Sequence, residues 1–409
     1  MRALLRIAWR NIGRQGRRSF ITAVAMAVGV GMSMAMIALM DGMFVKMFDT
    51  LVRQQMGHVQ VHDPAWPKQH SLHATMDEKT VLAKLDRVKD AVGVAPRAYG
   101  FALLGLKDRS TGARLEGVDP VREAKVTLVR DHMVSGHYLE EGSSHEMILG
   151  KSVAETLHAK VGSEIVAVTQ AADGSLGNDI YHVAGIYQTG SAMLDRGTAF
   201  LTLPDLQSLL VLPGEIHEVA LLGPTPKSVP ALASNVRSAL AGSHLLVQTW
   251  AQIDPNAAQV IQMQDGMAWM LLIIVFAVAA FGVLNTMLMS VFERTKELGV
   301  LRALGLSPGR IVLMVVFEAA MLASIAGVAG LAFGLLLDGY LVHWGLDLTT
   351  FTQGFSWAGV NFDPIMRGYV EPSRIAFVVL ALFVVAIASA LWPAVRAARL
   401  DPVQAMREE

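Results

Sequence analysis

The chain has 409 residues, 53% of them hydrophobic and only 17% charged, with a mean hydropathy of +0.43; this is more apolar than a soluble protein whose surface must carry charge, so a membrane protein is expected. The net charge of -1 says little, because in a membrane protein the placement of the basic residues matters more than their sum. The lack of cysteine excludes disulfides, thiolate metal sites, thiol catalysis and an acylated N-terminal cysteine.

In chain order, residues 1–18 carry Arg2, Arg6, Arg10, Arg14, Arg17 and Arg18 with no acidic residue, the mark of a cytoplasmic juxtamembrane helix. Residues 19–40 form the first apolar run, too long for a secretory leader and expected as an uncleaved anchor. Further runs occupy residues 266–292, 311–337 and 375–395. At about 1.5 Å per residue, roughly 20 residues cross a hydrocarbon core of about 30 Å, so each run is long enough to span. Four spans alternate, placing residues 41–265 and 338–374 outside and residues 293–310 and 396–409 inside. The short inside segments are the basic ones, with Arg294, Lys296, Arg302 and Arg310 in one and Arg396, Arg399 and Arg407 in the other.

Residues 41–265 read as a folded α+β domain. His58 to His62 alternates like a strand and ends at Asp63-Pro64. Thr75 with Glu78 suggests a capping box before a helix whose apolar face is Val81, Leu82, Leu85 and Val88. More strands are expected over residues 98–106, 164–169, 181–186, 198–203 and 216–222, and a second helix carries Val229, Leu232, Val236 and Leu240. Both connections to the membrane look helical, since residues 41–56 hold only Gly42 as a breaker and Asp254-Pro255 is a helix start.

Several motifs here carry no chemistry. Gly150-Lys151-Ser152 resembles the end of a phosphate-binding loop, but the glycine required five positions earlier is His145. His58 and His62 should lie roughly 13 Å apart along a strand, too far to share a metal. His70 and His73 lack carboxylate company and read as exposed loop residues. No catalytic constellation stands out, so no enzymatic role, metal or cofactor is expected in this chain, and nothing points to nucleic acid.

Between the second and third spans stands Glu293-Arg294-Thr295-Lys296-Glu297-Leu298-Gly299-Val300-Leu301-Arg302-Ala303-Leu304-Gly305. It predicts a short helix with Val300, Leu301 and Leu304 on one side and partly self-paired charges, Arg294 with Glu297 and Glu293 with Lys296. Ser307-Pro308 should start the third span, Ser307 as the cap and Pro308 in the first turn. Such a helix is either a solvated connector on the head groups or a docking helix for a cytoplasmic partner.

From Phe292 to Gly305 this segment resembles the signature of the FtsX-like permeases of ABC transporters, the class of the MacB exporter and the lipoprotein-releasing Lol permeases. The likeness continues through Phe317-Glu318-Ala319, Gly327, Gly330 and Gly334, the ending from Trp392 to Arg407, and Trp9-Arg10-Asn11 with Arg17-Arg18. Gly57 to His62 and Gly345 to Leu348 favour the lipoprotein-releasing branch. The resemblance implies an α-helical membrane protein with four transmembrane helices and an inserted α+β periplasmic domain, the type VII ABC permease fold, in a bacterial inner membrane with both termini cytoplasmic. It implies a second permease, identical or homologous, and a separate ABC ATPase subunit dimer carrying ATP and Mg. The ATPase would rest on a coupling helix comprising Glu293, Arg294, Lys296, Glu297, Leu301, Arg302 and Leu304. The cargo would be a lipoprotein passed to a periplasmic carrier; the alternatives are a mechanotransmission exporter of peptides or drugs and an FtsX-like scaffold that activates a cell-wall hydrolase.

The 22 methionines supply a candidate cavity. Met36, Met40, Met43 and Met47 form a helical stripe beside Phe44 and Phe48, and Met263, Met267 and Met270 with Ile274 repeat the spacing on the second span. Unbranched, polarizable methionine accommodates acyl chains of variable shape, although such stripes also serve as core or dimer packing. Ala23, Ala27, Gly31 and Ala35 on the first span, and Gly330 and Gly334 on the third, form small-residue seams that permit close helix approach. Glu318, alone in the third span, is expected in a packed, hydrogen-bonded structural role.

Overall fold

Apolar runs with continuous helical flanks produce helices longer than the runs themselves. The computed structural model describes residues 16–349, 355–357, 360–362 and 365–399. The basic entry segment up to residue 15 and the tail from residue 400 lie outside the described residues. Five helices frame the membrane half: α1 (Gly16–Leu51), α2 (Pro255–Glu293), α3 (Thr295–Ala303), α4 (Pro308–His343) and α5 (Pro372–Ala398). Of these α1, α2, α4 and α5 are long and apolar enough to cross a membrane, and each contains one of the expected runs. Asp254 caps α2 as anticipated, its Oδ1 accepting from the Ala257 amide at 2.9 Å, with Pro255 following.

Two caps differ from expectation. Ser307 occupies the N-cap position of α4 with an extended backbone, but its hydroxyl makes no capping bond. The Arg310 amide that it should satisfy donates instead to the Ser307 carbonyl at 3.0 Å. Thr75 is not a cap either; its hydroxyl donates to Glu215, and Asp77 caps the helix Glu78–Leu85 by accepting from the Thr80 amide at 2.8 Å. The intervening Met76–Asp77 pairs with Glu215–Ile216 as strand, which delays the helix start.

The chain divides into a helical unit, with residues up to 45, 262–353 and from 363 onward, and an α+β unit of residues 46–261 and 354–362. In the helical unit the two small-residue seams meet each other. A Cβ on Gly330 would stand 2.9 Å from the Ala27 carbonyl oxygen and 2.8 Å from the Val30 Cβ, and one on Gly334 would stand 2.5 Å from the Met34 sulfur. A Cβ on Gly31 would collide with the Phe333 ring. Backbone approach of α1 to α4 therefore depends on these glycines, with Met26, Val30, Met34, Ala323 and Ala326 in the same buried cluster.

The α+β unit contains strands β1 (Val59–His62), β2 (Met76–Asp77), β3 (Gly93–Leu106), β4 (Arg109–Val118), β5 (Met133–Gly136) and β6 (Glu146–Gly150), followed by β7 (Glu164–Gln170), β8 (Leu176–Tyr187), β9 (Thr198–Thr202), β10 (Glu215–Ile216), β11 (Glu218–Leu222) and β12 (Leu246–Thr249). Their main sheet runs β12-β1-β11-β3-β4-β9-β6-β8-β5, and β7 pairs with both β3 and β8. Strands β3, β4, β9, β6, β8 and β7 thus close into a ring. The 14-residue β3 makes this possible, since Gly93 to Arg97 pair with β11 while Leu103 to Gly105 pair with β7. The helices Glu78–Leu85, Lys151–Leu157, Leu203–Leu209 and Val229–Ala239 insert Val81, Leu85, Val153, Leu157, Leu206, Leu232 and Val236 into the sheet's core.

Candidate functional site

At the end of α2 the chain turns at Arg294, whose backbone leaves helical geometry at φ −116°, and resumes as α3. The Thr295 hydroxyl donates to the Phe292 carbonyl at 2.9 Å, satisfying one of the acceptors orphaned at the α2 terminus. Arg294 is largely buried; its Nη1 lies 3.3 Å from Glu318 Oε2 on α4, and its Nε lies 3.2 Å from Glu297 Oε2. The Ser290 hydroxyl on α2 donates to the other Glu318 oxygen at 3.3 Å. Glu318 is thus packed and hydrogen-bonded as expected, and its ionic partner comes from the loop rather than from another span.

The far end of α3 is held with equal definition. Arg302 Nη1 donates to the Ala398 carbonyl at 2.8 Å, on the last turn of α5, where unpaired carbonyls carry partial negative charge. Gly305, at φ +92°, closes α3: its amide donates to the Arg302 carbonyl at 3.0 Å, and that of Leu306 to the Leu301 carbonyl at 3.0 Å. Arg396 lies over the rings of Phe292, 5.0 Å away, and Trp392, 5.7 Å away, so sequence blocks a hundred residues apart meet here.

Anchoring of Arg294 and Arg302 and burial of Leu298 decide which face α3 presents. Leu301 is half-buried, whereas Glu293, Lys296, Glu297 and Val300 are exposed and Leu304 is 80% exposed. Of the seven residues expected on the coupling surface, two arginines therefore hold the helix, and the apolar outward pair is Val300 with Leu304.

The methionine positions divide between the units. Met36 is exposed and Met40, Met43 and Phe44 are half-buried on α1 within the helical unit; Met263, Met267, Met270 and Ile274 are exposed along α2. Met47 and Phe48 are buried in the α+β unit, where the Phe48 ring meets Trp250 edge-on at 5.1 Å and His58 at 5.5 Å. A groove of about 780 Å³ between α1 and α2 is lined by Ile274, but its other walls come from residues further along both helices, among them Ile21, Ala25, Val278 and Asn285.

Sequence reading missed a buried ionic network in the α+β unit. The fully buried Arg97 binds Glu123 through two nitrogens, at 3.1 and 2.7 Å, and Glu218 at 2.9 Å, with Glu116 at 3.6 Å. Burial raises the Glu116 carboxyl and pushes that of Glu218 up to about 7 despite Arg97. Arg97 stands one residue before the strand expected over residues 98–106, and nothing local marks Glu116, Glu123 and Glu218 as its partners. Burial lowers His58, His62 and His217 to about 4. His58 Nδ1 accepts from the Gly223 amide at 2.9 Å, a structural role. Gly150 packs against the backbone of Asp195, where a Cβ would stand 2.5 Å from its oxygen, and Lys151 Nζ donates to Gln188 at 3.0 Å. Among the described residues no three His, Asp or Glu side chains converge as metal ligands.

Comparison with known proteins supplies context for these features. Residues 19–239 match the family model of a MacB-like periplasmic core domain, and residues 269–402 match that of an FtsX-like permease C-terminal region. The chain is 24% identical over 411 residues to the lipoprotein-releasing system transmembrane protein LolC of Neisseria meningitidis serogroup B, covering 97% of this chain and 96% of the relative. It is 22% identical over 402 residues to the corresponding LolE of Haemophilus influenzae, covering 94% and 93%. The macrolide export ATP-binding/permease protein MacB 1 of Aeromonas hydrophila is 33% identical over 132 residues, 32% of this chain and 18% of the relative.

Proposed function

We infer from this chain's family, the FtsX-like permeases with a MacB-like periplasmic core, to which it belongs, that it is the membrane subunit of an ABC transporter that extracts lipoproteins from the outer leaflet of an inner membrane. A separate ATPase subunit dimer, holding ATP and Mg, docks on α3. A second permease, identical or homologous, completes the complex, and a periplasmic carrier receives the cargo. Similarity to LolC and LolE relatives over nearly the whole chain supports this cargo. Both termini and α3 lie in the cytoplasm and the α+β unit in the periplasm.

One observation carries the reading: α3 is tied at one end to α2 and α4 through Ser290, Arg294 and Glu318, and at the other to α5 through Arg302, while Val300 and Leu304 face outward. A push on that outward face is delivered to three long helices at once. The chain itself breaks no bond; its work is mechanical. Acyl chains are held by Met36, Met40, Met43 and Phe44 on α1 and by Met263, Met267, Met270 and Ile274 on α2, whose flexible side chains suit hydrocarbon.

Replacing Leu304 with Asp puts a charge where a partner groove should close, and should lower cargo-stimulated ATP hydrolysis by the assembled complex at least about tenfold, roughly 1.4 kcal/mol at a docking hot spot. Unchanged hydrolysis by the inserted complex would remove α3 as the transmission contact. A photo-crosslinker at Met40 or Met267 should capture acylated cargo, and capture of permease alone would argue against the cavity. The match to the Aeromonas exporter favours a second reading, mechanotransmission for peptide or drug export, but spans only a third of this chain; export of a non-acylated substrate by the reconstituted complex would establish it.

A further inference from the structure

The groove between α1 and α2 differs in character along its length. At one end stand Arg17, Asn285 and Met289; from there it runs past Ile21, Ala25 and Gly29 on α1 and Gly282, Val278 and Ile274 on α2. The Thr22 and Thr286 hydroxyls share a hydrogen bond at 2.7 Å, which fixes the antiparallel register and places Arg17 beside the last turns of α2. Arg17 is exposed and has no ion-pair partner among the described residues. The polar end is therefore cationic, and the remainder is hydrocarbon.

From this polarity we propose that the groove binds one anionic phospholipid from the leaflet bordering Arg17, its phosphate held by Arg17 and Asn285 and one acyl chain lying against Ala25, Gly29, Val278 and Gly282. Charge selects the occupant, because an aliphatic peptide brings no anion and a zwitterionic lipid brings its own ammonium to the guanidinium along with its phosphate, whereas an anionic headgroup brings net negative charge. Length agrees. Arg17 to Gly29 spans 12 residue steps, about 18 Å at 1.5 Å each, close to the roughly 15 Å of one leaflet's hydrocarbon. The cavity's volume falls in the range of sites that hold single small ligands, roughly 300 to 1,000 Å³. Glycine shapes the floor: a Cβ on Gly29 or Gly282 would meet nothing within 4 Å, so both positions present open space to the groove rather than to a packed neighbour. This site is separate from the proposed methionine cavity, which shares only Ile274 with it, and depends neither on the cargo nor on which face of the membrane holds the N-terminus.

The test uses the full chain in nanodiscs containing a phosphatidylglycerol with a photoactivatable acyl chain, against the same probe on phosphatidylcholine, with labelled peptides mapped by mass spectrometry. We expect labelling on residues 21–29 and 274–289, several-fold stronger for the anionic probe. Arg17→Gln should reduce it about fivefold, the effect of one basic residue at an anionic lipid surface. Gly282→Leu, whose Cβ enters open space, should displace the label while leaving thermal stability and the far-ultraviolet spectrum unchanged; Gly339→Leu, whose Cβ also enters open space, is the control and should retain it. Equal labelling by the two probes overturns the proposal, as does an unchanged signal in Arg17→Gln. So does protection of the groove by residues 1–15 or by a second copy, seen as crosslinks to those segments in place of lipid. Cargo release is not read, so failure here leaves the transport proposal standing, and loss of transport in Leu304→Asp leaves this one standing.

Discussion

Glu318 and Arg294 form the pair on which the α3 junction depends, with side chains 6% and 14% exposed. Glu318→Ala removes the buried partner of Arg294 and leaves it, among the described residues, only the exposed Glu297, so it should destabilise the chain by about 2 kcal/mol, the scale of a lost charged hydrogen bond. The double replacement Arg294→Met with Glu318→Leu should cost much less than the sum of the singles, because neither charge is then left alone. Thermal unfolding in detergent measures both, and additive losses would refute the pairing. In the α+β unit the buried histidines set the pH response. His58, His62 and His217 have folded values near 4 against an ordinary 6.5, so each contributes stability above pH 6.5 that is lost as pH falls toward 4. Glu218, raised to about 7 from 4.5, acts in the opposite sense, its contribution fully present below pH 4.5 and lost as pH rises through 7. Glu116 is raised as well, so two carboxyls oppose three histidines and leave a net loss of at most about 3 kcal/mol from pH 7 to pH 5, measurable by denaturant titration, and His62→Gln should flatten the slope. The sequence showed that His58 and His62 share a strand face but not that both are buried, since burial of that face is decided by strands β11 and β12, which flank β1 and come from the far end of the domain.

Among elements, the four long helices were legible because a bilayer-length apolar run needs no partner to be recognised. What the runs did not reveal was which seam meets which. Ala27 and Gly31 on α1 and Gly330 and Gly334 on α4 were each visible as small-residue rows, yet a row names no partner. Their contact predicts that Gly330→Val, whose Cβ would press on the Ala27 carbonyl at 2.9 Å, costs about 1 to 3 kcal/mol, whereas Gly29→Ala, into open space, should be neutral or slightly stabilising. Equal thermal stability of the two variants would show that α1 and α4 do not approach so closely. The closure of α3 was legible in part. Gly305 after an apolar helical ridge is a stop signal, but that Arg294 and Arg302 turn inward, leaving Val300 with Leu304 as the outward apolar pair, depended on Glu318 and the α5 terminus, far along the chain.

Across the whole molecule, the expected strands correspond to β1, β3, β7, β8 and β9, and residues 216–222 are divided between β10 and β11, while β2, β4, β5, β6 and β12 were not read. Partners were less legible than strands. The parallel pairings β4 with β9 and β6 with β8, and the return of β7 to β3, join segments distant in sequence, and no local period encodes such a partner. Two of the covalent routes between the helical and α+β units, by contrast, were legible as helix, and α1 and α2 do continue through residues 45–46 and 261–262 without interruption. A continuous helix transmits axial force that a flexible segment absorbs. If transport depends on that continuity, replacing residues 258–261 of α2 with four glycines should separate two activities that the native chain keeps together. Each glycine in a helix interior costs about 1 kcal/mol relative to alanine, enough in sum to unwind the segment while α3 and its anchors stay intact. ATP hydrolysis by the assembled complex should then persist, because the proposed docking pair Val300 and Leu304 is untouched, whereas release of acylated protein from proteoliposomes should fall sharply. Four alanines at the same positions would preserve the helix and should preserve release. Full release by the glycine variant would mean that force reaches the α+β unit by another route, or that its movement is not required.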